Sequence, residues 1–248
     1  VVNRIKNFKQ WILNEGEFYQ NELNTLFWTN SQFDPSIREK LLQIANEFYQ
    51  TFKLEIPISD IQLTGSLANY NWTPKSDLDV HVLIDFSKLN PDIALVKKGI
   101  DGQRFIWNLR HNIVIRGHDV ELYLQDVNEP HIASGLFSLL NNEWIRIPKY
   151  NPPQIDEMDV QKKFEGIVND IDQLNANLKS GSSAISPREL YDHSEKVKSR
   201  IMKMRKEGLA ERGEFSVENL VFKKLRNEGY IQNLIDLISR SYEKIYNE

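Results

Sequence analysis

Apolar and polar positions run through this chain in two rhythms, with a change of character near residue 150. In FDPSIREKLLQIANEFYQTF, the apolar residues Ile37, Leu41, Leu42, Ile44, Ala45 and Phe48 recur at helical spacing. Asp34 stands before them as an N-cap and Pro35 takes the first helical position, so a helix is predicted here. Residues 1–30 read as shorter helical pieces. ISDIQLTG then reads as a strand that stops at a glycine, LANYN as a short helix and WTPKS as a turn. LDVHVLIDF alternates with period two and predicts the next strand. ALVKKGIDGQRFIWNLRH reads as a helix interrupted around Gly99 and Gly102. NIVIRGHDVELYLQDV reads as two strands turning at Arg116–His118, and SGLFSLLNNEWIRIP as a hairpin turning at Asn141–Asn142.

The remainder is helical. KYNPPQ reads as a linker, DEMDVQKKFEGIVNDIDQLNANLKS has helical period, and GSSAISP is a loop. Ser186, Pro187 and Glu189 make a capping box for a helix that ends near Gly208 or Gly213. A further helix starts at Glu214 or Ser216, and a last one runs to about Tyr246. The expected class is α+β: residues 1–150 a catalytic domain with a mixed β-sheet flanked by helices, residues 151–248 an all-α C-terminal domain.

The strand LDVHVLIDF poses a chemical question. Leu78, Val80, Val82 and Ile84 share one face, and Asp77, Asp79 and His81 the other. Two carboxylates two positions apart lie about 6–7 Å from each other, and their repulsion is on the order of 2–3 kcal/mol at an effective dielectric near 20. A structural sheet gains nothing from that cost, whereas a divalent cation reverses its sign; Mg²⁺ suits such a pair because it takes few carboxylates and accepts phosphate oxygens. HDVELYL puts Asp119, Glu121 and Tyr123 on one face of a later strand. If that strand lies beside the first, a third carboxylate joins the pair, enough for two metal ions and an in-line displacement at phosphorus. Asp119 and Glu121 both remain open for that place, with Glu121 favoured by its apolar flanks. Gly65-Ser66, where a strand ends and a short helix opens, has the character of an anion site.

Gly65-Ser66, Asp77-Leu78-Asp79-Val80 and Val120-Glu121-Leu122 together resemble the signature of the DNA polymerase β-like nucleotidyltransferase superfamily. The resemblance spans roughly residues 55–126, and it departs from the pattern in having Glu where Asp is usual at the third acid. It implies that Gly65 and Ser66 hold the β- and γ-phosphates of a nucleoside triphosphate. It implies further that Asp77, Asp79 and Glu121 bind two Mg²⁺ or Mn²⁺ ions, and that an acceptor hydroxyl attacks the α-phosphate with loss of pyrophosphate. ATP is the default donor by abundance alone, so the transferred unit would be AMP; the acceptor could be RNA, a nucleotide, a small molecule or a protein hydroxyl. Lys196, Arg200 and Lys203 form one helical stripe that could meet the triphosphate or an acceptor backbone, with Lys223, Lys224 and Arg226 a weaker version; Lys75 sits in the turn before the acidic strand, where it could contact phosphate or simply be exposed. Tyr70 and Trp72 are candidates for base stacking or for core packing, His81 reads as structural, His118 as a turn residue and Asp85 as a strand-end cap.

Composition narrows the classes. The formal net charge of −4 over 248 residues gives no global signal for nucleic acid. The absence of cysteine removes disulfides and thiolate chemistry and fits a reducing, cytoplasmic setting. The stretch VVNRIKNFKQW lacks the apolar core of a secretory signal, and no apolar run of about 18 residues suggests a membrane span. A second class stays in view: a catalytically idle relative that binds nucleotide and acts as a regulatory or antitoxin-like partner.

Overall fold

The computed structural model describes residues 19–131, 133–150, 155–180 and 185–247. The chain divides into two compact units, Val1–Pro152 and Pro153–Glu248. No described helix is long and apolar enough to cross a membrane.

The first unit begins with a small hairpin, β1 (Trp28–Thr29) and β2 (Gln32–Phe33), followed by helix α1 (Pro35–Gln50). Asp34 caps α1 by accepting from the Ser36 and Ile37 amides, as the sequence predicts. Its carboxyl is held down to about 2, first by the Ser36 hydroxyl and then by the Ile37 amide. Residues 19–30 are loop and hairpin rather than helix, a departure from expectation; Phe27 and Trp28 are drawn instead into an aromatic cluster with Phe33, Phe137 and Trp144. The expected pieces at 1–18 lie outside the described residues.

Strands β3 (Asp60–Thr64), β4 (Leu78–Ile84), β5 (Val114–Ile115), β6 (His118–Asp126), β7 (Leu136–Ser138) and β8 (Glu143–Arg146) form a mixed sheet in the order β5-β6-β4-β3-β7-β8. β4 and β6 are parallel, and the other neighbours are antiparallel. The parallel pair requires a crossover, supplied by helix α2 (Ile93–Arg110). One sheet face is apolar: Ile61, Leu63, Leu78, Val80, Val82, Val120, Leu122 and Phe137 are all buried. Helix α1 buries Ile37, Leu41, Ala45 and Phe48, and Phe48 meets Trp107 of α2 edge-on at 5.1 Å.

Helix α2 is continuous, contrary to the break expected at Gly99 and Gly102. Neither glycine has a positive φ, Asp92 caps the start, and Ile100 and Trp107 anchor one side in the core. Packing supplies more than the roughly 1 kcal/mol that each glycine costs relative to alanine. Asn108 near its C-terminus donates to the Leu122 carbonyl (3.0 Å) and accepts from the Leu122 amide (3.2 Å), so one side chain closes the edge of β6 beyond its short pairing with β5. Asn108→Leu is expected to lower stability by about 1–3 kcal/mol, because both backbone groups lose their partner. Urea denaturation against the parent protein checks this.

The second unit is all helical: α3 (Glu157–Ser180), α4 (Pro187–Arg212), α5 (Val217–Asn227) and α6 (Tyr230–Tyr246). The capping box at Ser186 and Glu189 is present, and Ser216 caps α5. Helix α4 runs through Gly208, where a Cβ would stand 2.6 Å from the Glu218 Cβ, and stops at Gly213. The class is therefore α+β, a mixed sheet with helices followed by C-terminal helices.

Candidate active site

Register places the acidic residues. Thr64 of β3 is paired with Asp79, and Asp79 with Glu121 of β6, so these three stand side by side on the polar face of the sheet. The next row is Gln62, His81 and Tyr123, with Ser138 beyond Gln62. Asp77 immediately precedes β4 and is half-buried, like Asp79 and Glu121. Asp119 pairs with Val114 in the β5 hairpin and is exposed. Between the two candidates for the third acid, Glu121 is thus the one set beside Asp79.

Glycine 65 is held against Asp79. Its φ of 75° and ψ of −161° lie in a region that only glycine occupies without strain. A Cβ there would fall 1.9 Å from Asp79 Oδ2 and 2.9 Å from its Cγ. The carboxylate thus lies over bare backbone where β3 turns into a single 3₁₀ turn, Ser66–Ala68. The Ser66 hydroxyl donates to Ser76 Oγ (2.8 Å), which also accepts from the Thr73 amide (2.9 Å). That bond ties the glycine turn to the residue before Asp77. His118 is buried rather than placed in the turn, and its Nδ1 donates to the Ser76 carbonyl (2.6 Å). The loop before β7 closes on the same turn. A Cβ on Gly135 would meet the Ala68 carbonyl oxygen at 1.8 Å, and Asn69 donates to Ser134 Oγ at 2.5 Å.

Behind the acidic row lies an aromatic one. His81 stacks on Tyr123 with 4.6 Å between centroids, and Arg104 of α2 lies over the Tyr123 ring at 4.6 Å. The Tyr123 hydroxyl donates to Glu121 Oε2 at 2.5 Å. Burial, then the charges of Asp79 and Glu121, push the Tyr123 phenol far above its usual range, so it remains a donor. His81 Nδ1 donates to Gln125 Oε1 (2.5 Å), a structural role as expected, and burial pulls its pKa down to about 4.

That shift has a measurable consequence. The unfolded chain binds a proton at His81 near pH 6.5, whereas the folded chain resists it until about 4. The stabilisation is therefore complete above pH 6.5 and is lost as the pH falls toward 4, by on the order of 3 kcal/mol. His81→Phe is expected to flatten that part of the stability–pH curve, measured by urea denaturation in EDTA.

The other candidates are more dispersed. Lys75 is exposed in the turn before Asp77. Tyr70 packs between Tyr19 and Tyr150, and the Trp72 indole donates to the Glu22 carbonyl, so both are built into the first unit. Asp85 caps the turn after β4 through the Ser87 amide. Lys196, Arg200 and Lys203 are exposed on α4 of the second unit, where Arg200 pairs with Asp170 and Lys203 with Glu207 at 3.7 Å. Lys224 is buried: it donates to Gln161 Oε1 at 2.9 Å and lies over the Phe164 ring, so it is structural. Sequence reasoning missed Arg104, Ser76 and Gly135, whose roles depend on what crosses the sheet. Tyr123 was visible only as a residue sharing Glu121's face.

Among the described residues, no three His, Asp or Glu side chains are gathered as a metal cage. The donor set is instead a carboxylate pair in register, with Asp77 adjacent. That set fits Mg²⁺ or Mn²⁺ completed by substrate phosphates and water better than a cation enclosed by protein alone.

No family model matches the chain, and no curated protein does. Among solved structures it is similar to a STING-associated CdnE c-di-GMP synthase from Capnocytophaga granulosa. The identity is 12%, the match covers 96% of this chain and 91% of that one, and the TM-score is 0.21. A superposition that loose carries no structural inference.

Proposed function

We propose that this chain is a metal-dependent nucleotidyltransferase that moves a nucleoside monophosphate from a nucleoside triphosphate to an acceptor hydroxyl. The observation that carries the reading is the Asp79 carboxylate, set in register beside Glu121 and lying against the bare backbone of Gly65. Two ionised carboxylates on neighbouring strands repel each other, and a bound cation is what turns that arrangement into a gain.

Asp79 and Glu121, with Asp77, would hold Mg²⁺ or Mn²⁺. Such a cation supplies charge neutralisation at the phosphates and acidifies an acceptor hydroxyl. The chain's own residues do the positioning. Gly65 lets the Asp79 carboxylate lie against the backbone where a side chain would stand, and the Ser66–Ser76 bond fixes the turn relative to the acidic strand. Lys75 is near enough in sequence to add a positive charge on the phosphate side. The acceptor oxygen forms a bond to the α-phosphorus, the α–β bridging bond breaks, pyrophosphate leaves, and the acceptor's proton passes to solvent. ATP is the donor expected from abundance. RNA, a nucleotide, a small molecule and a protein hydroxyl are the acceptor classes to be tried.

The test is to incubate the protein with each labelled triphosphate and Mg²⁺ or Mn²⁺, with and without total RNA and cell extract, and to follow pyrophosphate. Release in at least one combination is the expected result. Binding of triphosphate with no release in any combination would favour the second reading, a nucleotide-binding regulatory partner.

A further inference from the structure

Glu121 differs from Asp79 in one respect that matters for a site built on position. It carries one more methylene and one more rotatable bond, so its carboxylate can sweep a wider arc unless something holds it. The phenol of Tyr123, two residues along the same face of β6, donates to Glu121 Oε2 at 2.5 Å. One carboxylate oxygen is thereby engaged, and Oε1 keeps its lone pairs for another ligand.

The phenol is itself held by two groups that lie over its ring. His81 stacks on one side, 4.6 Å away at 18° between planes, and its Nδ1 is fixed by Gln125 Oε1. A second imidazole, His131, meets His81 edge-on at 5.3 Å. The Arg104 guanidinium lies 4.6 Å from the Tyr123 centroid, with its Nε 3.6 Å from Asp101 Oδ1. Four side chains from β4, β6, α2 and the loop after β6 thus form one column under the acidic row. The column reaches into that row through the hydrogen bond from the Tyr123 hydroxyl to Glu121.

We infer that Tyr123 is a positioning residue: it fixes the Glu121 carboxylate beside Asp79, and the His81–Tyr123–Arg104 column exists to keep that phenol in place. The inference rests on the proposed metal-dependent site, and it assigns Tyr123 no contact with substrate. Such outer partners of metal-binding side chains set affinity and activity by about 10–100-fold.

Tyr123→Phe keeps the ring and removes only the oxygen. It is expected to weaken Mn²⁺ binding, followed by electron paramagnetic resonance without nucleotide, by about tenfold. It should lower kcat for pyrophosphate release by a similar factor and leave the KM for triphosphate nearly unchanged at saturating Mn²⁺. In a Glu121→Asp background, where the shorter side chain no longer reaches the phenol, the same change should make no further difference to Mn²⁺ affinity. A merely structural tyrosine would weaken both backgrounds alike. If Tyr123→Phe loses its native melting transition, Arg104→Gln, which uncovers one face of the ring, is expected to weaken Mn²⁺ binding in the Glu121 background alone. Parent protein that binds Mn²⁺ beside a Tyr123→Phe variant within twofold of it would overturn the positioning role. Parent protein that neither binds Mn²⁺ nor releases pyrophosphate would overturn the metal site itself, and this inference with it.

Discussion

Asp79→Asn is expected to reduce triphosphate-dependent pyrophosphate release by about 10³-fold, which corresponds to about 4 kcal/mol of lost transition-state stabilisation. The two side chains are nearly the same size, so the fold has no steric reason to change. What disappears is the charge at the centre of the row, where Asp79 stands between Thr64 and Glu121. An amide oxygen is a poor substitute for a carboxylate toward a hard divalent cation. The metal-free protein should therefore melt at the parent temperature or above it, because the repulsion between neighbouring carboxylates has been removed. Activity lost with stability kept is the pattern of a functional residue rather than a structural one. Differential scanning fluorimetry in EDTA, run beside the pyrophosphate assay, separates the two. A variant that retains more than a tenth of the parent activity would contradict the assignment.

Gly65→Ala should have an effect almost as large, by a different route. The added Cβ would stand 1.9 Å from Asp79 Oδ2, far inside contact distance, at a backbone conformation of φ 75° and ψ −161°. Either the turn relaxes or the carboxylate moves. Displacement of a reacting group by about 1 Å costs on the order of 10²-fold in rate, and strain at such a backbone position costs about 1–3 kcal/mol. Both activity and melting temperature are thus expected to fall. Gly99→Ala and Gly102→Ala are the comparison. They lie in helix α2, where an added Cβ would have nothing within 4 Å, and should raise stability by up to about 1 kcal/mol each. If Gly65→Ala behaved like those two, the close approach of Asp79 to the turn would be wrong.

Local chemistry was legible in the sequence wherever the reason for a structure lies within a few residues. Asp34 before Pro35, Ser186 before Pro187 and Glu189, and the alternation in LDVHVLIDF announced two helix starts and a strand that the structure contains. The two glycines of α2 misled because their local cost is visible in sequence, whereas the burial of Ile100 and Trp107 that offsets it is not. The same holds for residues 19–30, where Trp28 is claimed by β7 and β8 from more than 100 positions away. His118 reads as a turn residue because its partner, the Ser76 carbonyl, is 42 positions earlier in the chain.

For the site, sequence identified which residue types stand on one face of each strand. It could not say that β4 and β6 are neighbours, or that their parallel register sets Asp79 opposite Glu121 rather than Asp119. That register comes from a crossover through an 18-residue helix, and so from tertiary packing. Tyr123 illustrates the same limit at smaller scale. Its place on the acidic face was readable from alternation, but its bond to Glu121 depends on a ring held between β4 and α2.

The most direct measurement is the location of manganese in crystals soaked with Mn²⁺ and a non-hydrolysable nucleoside triphosphate, read from anomalous scattering. Manganese bound by the carboxylates of Asp79 and Glu121, with triphosphate oxygens completing its shell beside Gly65, is the predicted result. Triphosphate and metal bound elsewhere, with both carboxylates unliganded, would contradict it.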